Sequence, residues 1–243
     1  MKPVRIVIPI LVLGAVAAGA WWFMRPGDFL YGATVEATEV DVTARLASPV
    51  ADVHVEEGED VLAGAKLATL AGEEARLAAE LAAKEFARAE RLSATGSLPQ
   101  AEFDRIRFQR DQAVLRASWR ELTAPRDATV LRIYREPGEL VSPGMPVMTL
   151  GDLAEVWGVI YVDYPKLAQL RLGQIVEGVL PEMPDRAFPG RIAVIRDEAE
   201  FTPKNVQTRD QRMRLVYGVK ILFPNPDRVL KPGMTIEVRL PEE

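Results

Sequence analysis

The sequence predicts a mainly β protein with one inserted α-helical hairpin and an N-terminal transmembrane helix. Three observations carry that prediction. Residues 6–24, "IVIPILVLGAVAAGAWWFM", contain no charge. Residues 73–119 switch abruptly to a composition dominated by Ala, Glu, Leu and Arg. The β-like stretches on either side of that segment repeat one another at a fixed offset of 80 residues.

The apolar N-terminal stretch follows Lys2 and Arg5 and is closed by Arg25-Pro26-Gly27. As a helix it would reach about 28 Å, close to the hydrocarbon thickness of a bilayer. Trp21 and Trp22 fall where an aromatic belt sits, and the two basic residues favour a cytoplasmic N-terminus. A cleaved signal peptide ending at Ala18-Gly19-Ala20 is the alternative. The anchor is favoured because cleavage would leave Trp-Trp-Phe-Met as an exposed apolar end. Either reading places the remaining chain outside the cytoplasm.

From residue 31 to 70 apolar and polar positions alternate between glycine turns, the pattern of half-buried strands. The helical segment then begins at Gly72. "EEARLAAELAAKEFARAERLSAT" holds no proline and no internal glycine, and its residues are strong helix formers. Leu77, Leu81, Phe86, Ala89 and Leu92 are expected to form its apolar stripe. "RLSATGSLPQAEFD" reads as the tip: Gly96 suits a left-handed C-terminal position, and Ser97 with Gln100 suggests a capping box for the next helix. Pro99 is compatible with that helix's first turn. Beyond it "AEFDRIRFQRDQAVLRASW" is helical again, with Phe103, Ile106, Leu115 and Trp119 as its larger apolar residues, giving an antiparallel hairpin.

At Leu122-Thr123-Ala124-Pro125 the β pattern returns. "EPGELVSPGMPVMTL" (136–150) matches "EEGEDVLAGAKLATL" (56–70), so that Gly58 meets Gly138, Val61 meets Val141 and Gly64 meets Gly144. Each half is too small to bury a core alone, so the two are expected to fold against each other. The four glycines mark turns that need positive φ. Val53, Val55, Val61 and Leu67 are expected to share a core with Val130, Ile133, Val141 and Val147. Further on, "VWGVIYVDY", "IVEGVL", "GRIAVI", "RLVYGVKILF" and "TIEVRL" read as strands and "PKLAQLRLGQ" as a short helix. Short strands with regular turns, among them turns at Gly190 and Gly233, favour a small barrel.

Composition narrows the chemistry. The net charge of −5 argues against nucleic acid as a partner. No cysteine is present and His54 is the sole histidine, which removes thiolate metal sites and leaves little for catalysis. No catalytic residue, metal site or cofactor is expected. His54 alternates with Val53 and Val55 and reads as a solvated strand residue. The acidic pairs Glu56-Glu57, Glu59-Asp60 and Glu73-Glu74 lack metal-loop spacing and read as turns and a helix N-terminus. Arg105, Arg107, Arg110 and Arg116 read as the wet face of the second helix.

The nested order of these pieces resembles the HlyD-type membrane fusion proteins, the periplasmic adaptors of efflux and secretion transporters. "GATVEATEVDVTARLASPVADVHVEEGEDVLAGAKLATL" is similar to the family's strand into the barrel and first lipoyl half-motif. "LTAPRDATVLRIYREPGELVSPGMPVMTLGD" is similar to the second half, with Ala128 where the family usually has Gly and a local backbone adjustment expected there. "FPGRIAVIRDEAEFTP" and "VKILFPNPDRVLKPGMTIEVRL" resemble its barrel strands. The resemblance implies a membrane anchor (1–27), a strand leading into the barrel (28–46), a lipoyl-like sandwich split into halves (47–72 and 120–152) around the hairpin (73–119), and a β-barrel domain (153–243). It also implies a non-enzymatic conduit in the inner membrane and periplasm of a Gram-negative bacterium, hexameric with itself. Its partner would be an inner-membrane exporter. An ABC permease is favoured over an RND pump, because the extra membrane-proximal domain of the drug-efflux adaptors is expected to be absent after the "PGM" strand.

A TolC-like outer-membrane channel is a further implied partner. In adaptors that dock on one, the hairpin tip carries Arg, a Leu four residues on and a Ser seven beyond it. Here those positions are Arg88, Leu92 and Pro99, so the serine has become proline. Two alternatives stand beside this reading: an anchored periplasmic scaffold or binding protein without a pump, and a lipoyl or biotinyl carrier. A carrier needs a swinging lysine on the turn between its halves. That junction is Ala71-Gly72-Glu73, and Lys66 lies within the first half.

Overall fold

The computed structural model describes residues 30–201 and 215–241. The expected N-terminal anchor, with Trp21 and Trp22, lies outside them. Among the described residues no helix is long and apolar enough to cross a membrane. The chain divides into two units, and β9 (Pro146–Val162) carries it from one into the other.

The first unit, residues 36–156 with 225–232, contains the repeat. Strands β3 (Ser48–Val53), β5 (Lys66–Leu70), β6 (Glu121–Thr123) and β8 (Leu140–Val141) form a four-stranded sheet in the order β6-β5-β3-β8. β7 (Ala128–Ile133) pairs with both β4 (Asp60–Val61) and β9, and β2 (Glu36–Thr43) also pairs with β9. The 80-residue offset is written into the hydrogen bonds. Gly58 N–H donates to Val130 O and Gly138 N–H to Val50 O, both at 2.8 Å. Gly64 N–H reaches Ala124 O at 2.8 Å and Gly144 N–H reaches Ala44 O at 2.9 Å. All four glycines have φ between 82° and 94°, a region costly for any residue with a Cβ. Each half therefore finishes its turns on the backbone of the other. Val50, Leu67 and Leu70 meet Val130, Val147 and Leu150 in one buried core, with Val53 and Ile133 at its margin. Ala128 lies in β7 opposite Val61, outside the left-handed region, and its methyl packs against this core; no backbone adjustment is needed.

Between the halves stand α1 (Glu73–Ala94) and α2 (Gln100–Ser118).

The second unit, comprising the described residues 30–35, 157–201, 215–224 and 233–241, is the barrel. β1 (Leu30–Thr34), β13 (Thr235–Arg239), β10 (Ile175–Leu180), β11 (Met183–Phe201), β12 (Leu215–Pro224) and the end of β9 pair in that order. A Cβ at Gly158 of β9 would lie 3.0 Å from the Ala33 Cβ of β1, so the first and last strands approach each other. Phe223, Ile160, Ile221 and Ile236 fill the interior. The region expected to be helical after Tyr164 is helical only over α3 (Tyr164–Leu167), capped by Asp163, before it turns at Gly173.

Gly190 corrects an expectation. It is not a turn residue but lies inside β11 opposite Val176. A Cβ there would meet Phe223 Cε1 at 2.5 Å, and one at Gly178 would meet the same atom at 2.8 Å. Both glycines leave room for the Phe223 ring. Gly233, with φ of 92°, does occupy a turn and donates to Val35 O.

Candidate functional site

The hairpin is the candidate site, built from its root to its tip. At the root Gly72 adopts φ 46°, the left-handed conformation that turns the strand β5 into α1. Its N–H donates to Ser48 Oγ at 2.8 Å, and Ala71 N–H donates to Pro49 O. The return is tied by Leu70 N–H to Arg120 O at 2.8 Å and Arg120 Nε to Leu70 O at 3.2 Å. A Cβ on Gly72 would fall 2.5 Å from Arg120 Cγ, so the position needs glycine for space as well as for φ. Above this joint Arg76 bridges Glu73 and Glu80. The hydrogen bond from Arg76 holds the Glu73 carboxyl below the usual carboxylate range, and its charge favours the helix N-terminus.

Along the shaft the structure splits the expected stripe, turning Phe86 and Ala89 inward and Leu77, Leu81 and Leu92 outward. The residues of α1 turned inward are Ala75, Ala79, Ala82, Phe86, Ala89 and Ser93, spaced alternately by four and three. Ile106, Arg110, Ala113 and Ala117 continue the same spacing on α2. That heptad seam is the geometry of two helices in knobs-into-holes contact. Its one large contact is Phe86 on Phe103, with ring centroids 5.6 Å apart. Arg110 lies 4.0 Å above the Phe86 ring and pairs with Asp111, so it is not part of the wet face. Leu77, Leu81 and Leu92 point outward, as do Phe108 and Leu115. Alanine at the seam lets the helices approach closely; leucine outside gains nothing from the hairpin itself.

The tip is a Schellman turn. Gly96, φ 70°, donates to Ser93 O, and Ser97 N–H donates to Leu92 O, both at 2.9 Å. The expected Ser97 capping box is absent. Ser97 Oγ meets Thr95 Oγ1 instead, and Pro99 is the N-cap, its carbonyl accepting from Glu102 and Phe103. Ser97 stands two residues too early for the helix that Pro99 starts. Gly96, Ser97 and Pro99 are all exposed, while Arg88 lies on the shaft two turns below.

The carrier chemistry has no lysine in place. Lys66 is a strand residue paired with Glu121 at 2.8 Å, and its hydrogen bond lowers the Glu121 pKa. His54 Nε2 is 2.7 Å from Thr69 Oγ1, while at the offset of 80 Tyr134 OH is 3.0 Å from Thr149 Oγ1. The histidine therefore holds a structural position that a tyrosine fills in the other half. Among the described residues no group of His, Asp or Glu is placed to hold a metal.

This geometry can be set beside known proteins. Residues 155–243 match the family of CusB-like β-barrel domains. Over 88% of its length the chain superposes on 99% of the membrane fusion protein Spr0693 of Streptococcus pneumoniae R6, with a TM-score of 0.60 and 20% identity. This is the membrane fusion protein fold. A second structure with it is a MacA–MexA chimera bearing the Pseudomonas aeruginosa MexA α-hairpin. It shows TM-score 0.62 and 17% identity, over 87% of this chain and 80% of the chimera. By sequence, a UPF0194 membrane protein of Acidithiobacillus ferridurans is 40% identical over 142 residues, 56% of this chain. That match spans 42% of the relative's own length, so the chain covers well under two thirds of it.

Proposed function

We propose that the chain is a periplasmic adaptor. Anchored in the inner membrane of a Gram-negative cell, it links an exporter to the exterior or to a TolC-like outer-membrane channel, as one copy of an oligomeric conduit. Six copies follow from the family resemblance. Of the two pump classes, the same resemblance favours an ABC permease over an RND pump. The observation that carries the adaptor reading is the junction at Ala71, Gly72 and Glu73. Where a swinging-arm carrier would present its lysine, this chain launches a helix of 22 residues, about 33 Å long. The shaft makes the connection a spacer. At the far end Leu92, Gly96, Ser97 and Pro99, with Arg88 below them, are the proposed channel contacts; the exposed Schellman turn supports that use.

Detergent extraction of the intact, tagged chain tests this reading. An exporter permease should co-purify with it, an ATPase subunit beside the permease marking the ABC class. Recovery of the chain with no membrane protein would favour the scaffold alternative. A lipoyl or biotinyl mass adduct on Lys66 would favour the carrier.

A further inference from the structure

We infer that one end of the barrel is a bilayer-contact surface. Tyr164, Leu172 and Ile175 there enter the headgroup region of an anionic membrane, beside the point where the N-terminal segment departs. The inference rests on the anchored reading proposed above and adds to it a second, reversible contact with the same membrane.

Strand register fixes which end this is. Leu30 of β1 stands opposite Arg239 of β13, which in turn stands opposite Glu177 of β10. The chain preceding Leu30, the Pro241 that follows β13, and Ile175 therefore all lie toward one end. The connection from β9 to β10 is tied to that end: Lys166 Nζ donates to Pro241 O at 3.2 Å, and Gly173 N–H to Ile192 O at 2.8 Å. Met24, the last residue of the apolar stretch, is six positions before Leu30. Six residues reach about 20 Å at full extension, so this end stands no further than that from the bilayer surface.

The side chains presented there suit a lipid interface. Tyr164, Leu172 and Ile175 are 68%, 67% and 63% exposed, the most exposed large hydrophobic side chains among the barrel's described residues. From Ile175 the apolar surface continues into a shallow groove of the outer wall, past Ala187, Pro189 and Pro241. The charges around the patch are basic. Arg191 stands directly across from Ile175, and Arg171 precedes Leu172; both are exposed, and neither has an ion pair among the described residues. The neighbouring acids are already engaged, Asp163 in capping α3 and Glu177 with Arg239. At the opposite end the β10–β11 turn carries Glu182 and Asp185 against the single Arg186. Apolar area buried at the headgroup boundary and attraction of arginines to anionic lipid act together at the first end, while the same lipid repels the second. Tyrosine places its ring in that boundary and its hydroxyl in water. A permease is the competing occupant; the short tether and the arginine rim favour lipid.

The chain contains no cysteine, so a single introduced thiol reports one position. The full chain carrying Leu172→Cys or Ile175→Cys, labelled with an environment-sensitive fluorophore, is reconstituted without exporter into phosphatidylethanolamine–phosphatidylglycerol vesicles. Emission should shift to the blue; lipids brominated on their acyl chains should quench it strongly and aqueous iodide weakly. A label on Met183→Cys, at the opposite end, should show the reverse. Arg171→Glu with Arg191→Glu should lower bromolipid quenching at Ile175→Cys at least about fivefold, as should vesicles of zwitterionic phosphatidylcholine. Iodide quenching at Leu172→Cys and Ile175→Cys as strong as at Met183→Cys would overturn the inference, as would insensitivity to charge reversal. Shielding that arises only when an exporter permease is added would overturn it too, assigning the surface to a protein. Flotation with the vesicles reads the anchor separately. A chain that floats with both labels open to water sinks this surface and leaves the anchored adaptor standing; one that does not float sinks both.

Discussion

The repeat body and the hairpin lie in the same unit but keep their apolar residues in opposite places. In the body, Val50, Leu67, Leu70, Val130 and Leu150 are closed off from solvent by each other. In the hairpin Ala89 is the one helix residue fully buried, and the leucines face outward. Burying a leucine side chain stabilises by about 1.5–3 kcal/mol relative to leaving it exposed. The body collects that stabilisation internally. The hairpin leaves it for a partner, and holds its own shape through alanine contact, local ion pairs and the tied root at Gly72 and Arg120. A small seam and a large outer face thus describe an element shaped for assembly.

The largest contrast should come from one substitution made in both regions. Leu67→Ala should destabilise the body by about 2–5 kcal/mol in urea unfolding, because a fully buried side chain leaves a cavity. Leu81→Ala should change the stability of the unassociated chain by less than about 0.5 kcal/mol. Equal losses at the two sites would break the comparison.

The barrel offers a test of close packing of intermediate size. Gly190→Ala inserts a Cβ into the space of the Phe223 ring and should cost about 1–3 kcal/mol of thermal or denaturant stability. Trimming the ring in the same chain, by Phe223→Leu, should recover part of that loss. A neutral Gly190→Ala would mean the strand has slack that the observed packing denies.

The smallest effect concerns the loop Asn225–Pro232, which the body holds through Asn225 and Arg228. Asn225 Nδ2 donates to Leu153 O and Leu230 O, and Arg228, at φ 52°, reaches Asp60 at 2.6 Å. Asp60 also accepts from Thr129 Oγ1, and the Arg228 bond, then the Thr129 bond, hold its pKa below the ordinary carboxylate value. A carboxylate depressed in the folded state stabilises above its unfolded pKa, and that contribution is lost as pH falls through the folded value. Arg228→Ala should therefore lower stability slightly at neutral pH and converge with the parent chain in acid. A gap that widened as pH fell would contradict the assigned ion pair.

Sequence reading reached the body more fully than the hairpin, for a physical reason. The offset of 80 residues aligned glycines whose positive φ and cross-half hydrogen bonds are local requirements, and local requirements leave marks in sequence. The hairpin's inner face is only partly legible because size suggests burial: Phe86 and Ala89 are among the expected apolar residues, but Leu77, Leu81 and Leu92 stand out whereas Ala75, Ala79 and Ala82 do not. Heptad spacing was the signal that would have found the seam, had alanine been counted as apolar knob rather than helix filler. Gly190 reads as a turn residue because what requires glycine there is a phenylalanine more than thirty residues away in sequence. Ser97 reads as a cap from sequence, and only the helix start set by Pro99 rules it out. The assignment of Arg88 and Leu92 at the channel end came from resemblance, and their common outer face became visible only with the shaft.

The central claim is that the body closes its core within one chain while the hairpin leaves its large apolar side chains uncovered for a partner. Amide hydrogen exchange on the intact protein, compared between concentrations that favour and disfavour association, tests it directly. The account predicts that β3, β5, β7 and β9 exchange slowly at both concentrations, while the amides of α1 and α2 gain at least about tenfold protection only on association. Hairpin protection equal to that of the body in the dilute chain, or unchanged by association, would contradict it.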